Sequence, residues 1–188
     1  LSGAAFITGV AAARHPSDGA LHILAEGSTA VGGGVYATAG VTLNRVDPST
    51  SALTLVGSYQ PPTGAKKSQS QIALLSFDSE VVAFFFEGKD GGGLQPEVHS
   101  SADFSRNLAE TATAFSQPAQ VLSLAGMRIS GGNVFLYLLD LFGTYVASLD
   151  CTTAPTPANA SLSVENVPYS GGAATTVTEG GTAFIGDQ

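Results

Sequence analysis

The chain has 188 residues, 44% of them hydrophobic and only 12% charged, with 7 Lys plus Arg against 15 Asp plus Glu. A net charge of −8, with Lys66-Lys67 the one basic pair, excludes the clustered cations that neutralise a phosphate backbone, so nucleic acid and anionic membranes are poor partners. Twenty-three glycines exclude a helix bundle, no apolar run approaches the roughly 20 residues of a membrane span, and a single cysteine, Cys151, allows no intrachain disulfide.

In chain order, Leu1–Val10 holds a strand around Ala5-Phe6-Ile7, and His15-Pro16-Ser17-Asp18-Gly19 is a turn, punctuated by Pro and by Asp-Gly. Ala20–Ala25 alternates as a strand, with Leu21 and Ile23 on one face and His22 and Leu24 on the other. Glu26–Gly40 reads as a Gly-rich loop around Gly32-Gly33-Gly34. Val41–Tyr59 is strand, turn, strand: Pro48 presets φ, and Asp47 can bond the backbone of the turn. Gln60–Gln69 is a polar connector, and Ser70–Phe77 is the next strand.

Val81–His99 repeats the hairpin plan. Its first arm is apolar on both faces, which predicts a central strand between packed layers. Asp103–Phe115 carries the one helix pattern: Ser101 or Asp103 caps it, Phe104, Leu108, Ala112 and Phe115 share a face, and Pro118 stops it. Ala119–Ser130 is strand-like and Asn133–Asp150 is a third hairpin. The starts at Val41, Val81 and Val134 lie about 40 and about 53 residues apart, the range of a propeller blade.

These elements predict an all-β fold of antiparallel hairpin repeats, propeller-like, with a β-sandwich as the alternative and one short helix near 103–115. Residues 1–151 form the repeat domain, 152–161 a Pro/Thr linker, and 162–188 a β-rich tail that completes the same domain or follows it. A start at Leu1 and a strand-like end at Gly180–Gln188 point to a processed form or a piece of something longer.

Among chemical groups, His15, Asp18, His22 and Glu26 are the densest titratable set. On a regular strand His22 and Glu26 stand about 13 Å apart, so a shared metal requires a bend. Glu87 and Asp90, in Glu87-Gly88-Lys89-Asp90-Gly91-Gly92-Gly93, offer oxygens suited to calcium, the one candidate ion. The run lacks the alternating ligands of an EF-hand and reads equally as a hairpin turn; no other cofactor is implied. The Gly triplets are not phosphate loops, and no Gly-x-Ser-x-Gly elbow occurs. Asn159-Ala160-Ser161 is a glycosylation sequon.

Three segments carry a resemblance: HPSDGALHILAEGS at His15–Ser28, RVDPSTSALTLVGSYQPPTG at Arg45–Gly64, and GGTAFIGDQ at Gly180–Gln188. They resemble the lactonase-type β-propellers, the family of 6-phosphogluconolactonase-like proteins and surface-repeat propellers. The chain departs from that pattern at Ala25, where the family has Asn, and at Ser51, where Gly usually follows the Thr. Family members carry about seven blades, whereas this length supports about four. The resemblance implies a hydrolase using His, Glu and Arg around a channel, with His15, Arg14 and Glu26 in those roles.

Composition points elsewhere. The low charge, small-residue surface and missing catalytic constellation predict a non-enzymatic extracellular or particle-surface scaffold or recognition protein, bound to other chains as a homo- or hetero-oligomer. The alternatives are a lactonase-like hydrolase, whole or in part, and a virion decoration or tail component.

Overall fold

Apolar side chains on both faces of residues 81–86 leave that strand no side to turn to water, and in the computed structural model it lies between two other layers. The structure describes residues 6–32, 35–60, 72–88, 94–110, 123–128, 133–140, 143–149 and 153–167. Four strands form the first sheet in sequential order: β1 (Phe6–Arg14), β2 (Leu21–Gly32), β3 (Val35–Val46) and β4 (Leu53–Tyr59). The second sheet holds β5 (Ile72–Ser76), β6 (Val81–Gly88) and β7 (Leu94–Ser100). The third holds β8 (Ser123–Arg128), β9 (Val134–Asp140), β10 (Gly143–Leu149) and β11 (Ser163–Val167). Every pairing is antiparallel, between strands adjacent in sequence.

The pleat of β6 sends Val82, Phe84 and Phe86 into one core with Leu124, Val134, Leu136 and Leu138 of the third sheet. It sends Val81, Ala83 and Phe85 into a second core with Leu24, Val41 and Leu43 of the first. Each large side chain buried this way contributes roughly 1.5–3 kcal/mol. The first strands of the three sheets, β1, β5 and β8, run beside one another. Close approach there uses glycine: a Cβ on Gly126 would stand 3.0 Å from Ala73 Cβ, and one on Gly9 would stand 3.3 Å from Ile72 Cγ1. Ser76 Oγ donates to Arg14 O at 2.6 Å, tying β5 to the end of β1. Successive meanders packed face to face with their first strands together are the propeller-like arrangement, and the all-β class stands.

All three expected hairpins form, with Val41 opposite Tyr59, Ala83 opposite His99 and Val134 opposite Leu149. Four details differ from the sequence expectations. About four blades were expected, and the described residues make three sheets. Residues 26–32 and 35–40 are strand, not loop, because Glu26 and Ser28 continue the buried face begun by His22 and Leu24. The β4 side chains Leu53 and Leu55 are 62% and 59% exposed on the outer face of the first sheet, where the β-branched and apolar residues of 41–59 fit a half-buried surface in sequence.

The fourth difference is the helix. Residues 103–110 are turns and irregular chain with one bridge from Asp103 to Ser100, 111–115 lie outside the described residues, and no helix occurs among those described. The segment 101–110 makes one backbone bond within itself, Arg106 N donating to Asp103 O at 3.4 Å, and is otherwise tied to the second sheet. Leu108 N donates to Val98 O at 2.8 Å, while the Asn107 carboxamide accepts from Val98 N at 3.0 Å and donates to Pro96 O at 3.1 Å. One side chain thus stands in for a neighbouring strand's peptide group. Pro96, lacking an N–H, suits this edge.

The β3–β4 turn is closed by Ser51 N donating to Asp47 O at 2.8 Å and Asp47 N donating to Ala52 O at 2.9 Å. The Ser49 hydroxyl and amide donate to Asp47 Oδ1, which holds that carboxyl at about 2, below its ordinary 3.8. Ser51, where the resembled family places Gly, has φ 58° in the left-handed region. A side chain there costs roughly 1 kcal/mol, partly offset by the extra unfolded-state entropy of glycine. Ser51→Gly is therefore expected to stabilise the protein by about 0.5 kcal/mol in urea denaturation. Phe84→Ala, which empties the contact between the second and third sheets, is expected to cost about 3–5 kcal/mol in the same measurement. A loss under about 1 kcal/mol would contradict the central placement of β6.

Candidate functional site

The polar residues of β7 alternate with apolar ones: Leu94, Pro96 and Val98 against Gln95, Glu97 and His99. On a sheet with one face in water, the second set would be solvated. Here that face meets the first sheet, and Gln95, Glu97 and His99 are all buried, His99 fully. Cross-strand pairing sets Glu97 beside Phe85 and Glu87 beside Gln95. The facing row of the first sheet runs Gly9, Glu26, Val41, Tyr59. Three glutamates, a histidine and a tyrosine thus share the space between the two sheets.

His99 is held on all sides. Its ring stacks on Phe85 with centroids 5.1 Å apart and planes 11° apart, and it meets Tyr59 at 4.5 Å and Phe104 at 5.4 Å. His99 Nδ1 lies 2.9 Å from Phe104 O, and Nε2 lies 3.0 Å from Glu97 Oε2. A carbonyl oxygen only accepts, so Nδ1 carries a hydrogen. The second contact then holds one further proton, either on Nε2 facing a carboxylate or on Glu97 facing the imidazole. The pair is a buried proton-sharing dyad.

Tyr59 adds a neutral donor to the same space. Its hydroxyl donates to Glu87 Oε2 at 3.5 Å. Burial, then the charges of Glu97 and Glu87, push its pKa upward, so the phenol stays protonated and remains a donor. Both glutamates face this neutral donor, and Glu97 also bonds His99. Glu26 completes the set from the first sheet; its Oε2 lies 3.4 Å from where a Cβ of Gly9 would be, an ordinary contact distance.

The structure separates the residues expected from sequence. Arg14 and His15 sit at the β1–β2 turn, where Arg14 Nη1 donates to Gly19 O at 3.0 Å and His15 Nδ1 lies 2.8 Å from Ser17 Oγ. Asp18 bonds Arg45 at 3.1 Å, and the His15 and His22 rings lie 5.1 Å apart. Burial lowers the His22 pKa. These groups lock the turn, and Glu26 lies about 13 Å further along β2 by strand rise. Of the two residues proposed for calcium, Glu87 is on β6 and buried, not in a turn, and Asp90 lies outside the described residues. Among the described residues no group of three or more His, Cys, Asp or Glu has the geometry to hold a metal. Sequence reasoning missed Tyr59, Glu97 and His99. Their one signal was a strand whose polar face carried Gln, Glu and His.

No family model and no curated protein sequence matches this chain. Among solved structures it is similar to a GH43_1 enzyme from Xanthomonas citri complexed with xylotriose, with a TM-score of 0.54 and 15% identity. The match covers 89% of this chain and 56% of that one, so the chain spans a little over half of its neighbour's length. The neighbour is a β-propeller, which agrees with the sheet arrangement here. The lactonase resemblance is therefore supported as far as a propeller-like fold. The expectation of a non-enzymatic scaffold or recognition protein finds no support here: the solved structure that the chain resembles in fold is that of an enzyme.

The Tyr59 environment makes a pH prediction. Its folded pKa is raised above the unfolded 10.0, so the unfolded chain releases the proton first as pH rises. Stability is fully present below pH 10.0 and falls above it. Urea denaturation at alkaline pH is expected to show that decline, with a shallower slope in Tyr59→Phe. Equal slopes would mean that Tyr59 ionises as freely folded as unfolded.

Proposed function

We propose that the chain carries acid–base chemistry for hydrolysis of a glycosidic bond in a xylose-type oligosaccharide. One observation carries the proposal: two glutamates in one interlayer space both face the Tyr59 hydroxyl, and Glu97 alone of the two also bonds the His99 imidazole. Glycoside hydrolysis requires such a pair, one carboxyl to give a proton and one to act as carboxylate. The similarity to an enzyme complexed with xylotriose supports the choice of substrate class.

In this mechanism the two sheets part at the Tyr59 end to admit the sugar, and the Glu97–His99 dyad protonates the leaving-group oxygen as the bond from that oxygen to the anomeric carbon breaks. Water attacks the anomeric carbon, and its proton passes to Glu87. Exchange with solvent returns both carboxyls to their starting states. Phe85 and Phe104 exclude water from the imidazole, which strengthens the dyad's hydrogen bonds. Tyr59, half-buried at the end of β4, is the member of the cluster that reaches toward the surface.

Glu97→Gln preserves shape and an acceptor for His99 while removing the ionisable proton. It is expected to lower kcat/KM on xylotriose by about 100-fold or more, with the melting temperature little changed. Undiminished turnover in that variant, or no turnover by the native chain on xylotriose and other short oligosaccharides, would overturn the proposal.

A further inference from the structure

The atom that fixes the His99 hydrogen, Phe104 O, belongs to the irregular segment 101–110 rather than to a strand. Its position depends on how that segment is seated. On one side Asn107 anchors the segment to β7, and its Oδ1 also accepts from Ala109 N at 2.8 Å. Gln95 Nε2, on the face shared with Glu97, donates to Ala109 O at 3.3 Å. On the other side, Phe104 is buried against the first sheet, where it meets Gly57 of β4.

That contact is closer than any side chain permits. A Cβ on Gly57 would stand 2.5 Å from Phe104 Cβ and 3.3 Å from its Cγ. The φ of Gly57 lies outside the left-handed region, so backbone conformation does not require glycine there; space does. The Phe104 Cβ cannot rotate away, being fixed to the same residue whose carbonyl bonds His99. An added methyl group must therefore move the backbone of 101–110 or of β4.

We propose that Gly57 is a positioning residue for the Glu97–His99 dyad. Its missing side chain lets segment 101–110 settle so that Phe104 O keeps the proton on Nδ1 and leaves Nε2 to share the second proton with Glu97. This deepens the acid role given to that dyad under the proposed function. A spectroscopic test stands apart from turnover: if xylotriose is not cleaved but His99 behaves as stated here, the activity fails and the positioning role survives.

The test is nitrogen-15 NMR of the intact chain with labelled histidine, the His99 signals being assigned by their loss in His99→Gln. In the native chain Nδ1 is expected to stay protonated across neutral pH, with slow exchange of its hydrogen. In Gly57→Ala that signature is expected to weaken: Nδ1–H exchanges faster and its resonance moves toward the mixed-tautomer position. Asn107→Ala, which loosens the same segment from its β7 side without touching the dyad, is expected to act in the same direction and serves if Gly57→Ala does not fold. A native His99 without a proton on Nδ1 would overturn the proposal. So would a folded Gly57→Ala, or in its place Asn107→Ala, with unchanged Nδ1 exchange and shift.

Discussion

Burial of both faces of β6 is the constraint from which the other features follow. A strand with Val82, Phe84 and Phe86 on one side and Val81, Ala83 and Phe85 on the other cannot reach low free energy as the surface of a two-layer protein. It needs a sheet on each side, and the first and third sheets supply them. Its neighbour β7 inherits the same placement. Residues 95, 97 and 99 are thereby carried into an interior that their polarity alone would not choose.

An interior carboxylate or imidazole is costly unless its hydrogen bonds are met, and a partly satisfied network is worse than an apolar one. Here each of the two ring nitrogens of His99 has a partner, Phe104 O and Glu97 Oε2, and three aromatic rings close over the imidazole. Replacing the set with apolar residues of like volume would often be neutral or stabilising. That comparison makes the cluster more informative about chemistry than about folding. The residues that hold it come from β4, β6, β7 and the segment after β7, so its geometry depends on the packing of two sheets.

Much of the fold was legible because it rests on local signals. Asp47-Pro48 and the Ser49 contacts make a turn wherever they occur, and the two-faced apolar run at 81–86 has no other placement than a central strand. Two misreadings have a common cause: local pattern yielded to pairing. The Gly triplet at 32–34 suggested a loop, yet the ladder between β2 and β3 runs up to its edges. Phe104 and Leu108 fit a helical face, but an open β7 edge offered their backbone better partners than a helix of that length could. The site was less legible for a different reason. Glu97 and His99 look the same in sequence whether their face meets water or another sheet, and only the docking of the first sheet decides it. Of the candidates that sequence favoured, Glu26 faces this space, whereas Arg14 at the end of β1 and His15 in the turn after it have polar atoms engaged locally.

The closure of β7 by Asn107 has a consequence beyond the site. An uncovered outer strand is a template on which foreign peptides extend a ladder, the route by which β-rich proteins polymerise into fibres. Along β7 the outward groups of Val98 and Pro96 are already engaged by a carboxamide and by Leu108, in a segment too irregular to be copied. The middle layer therefore terminates on a side chain, and growth of the sheet by recruitment of another molecule is blocked at that margin.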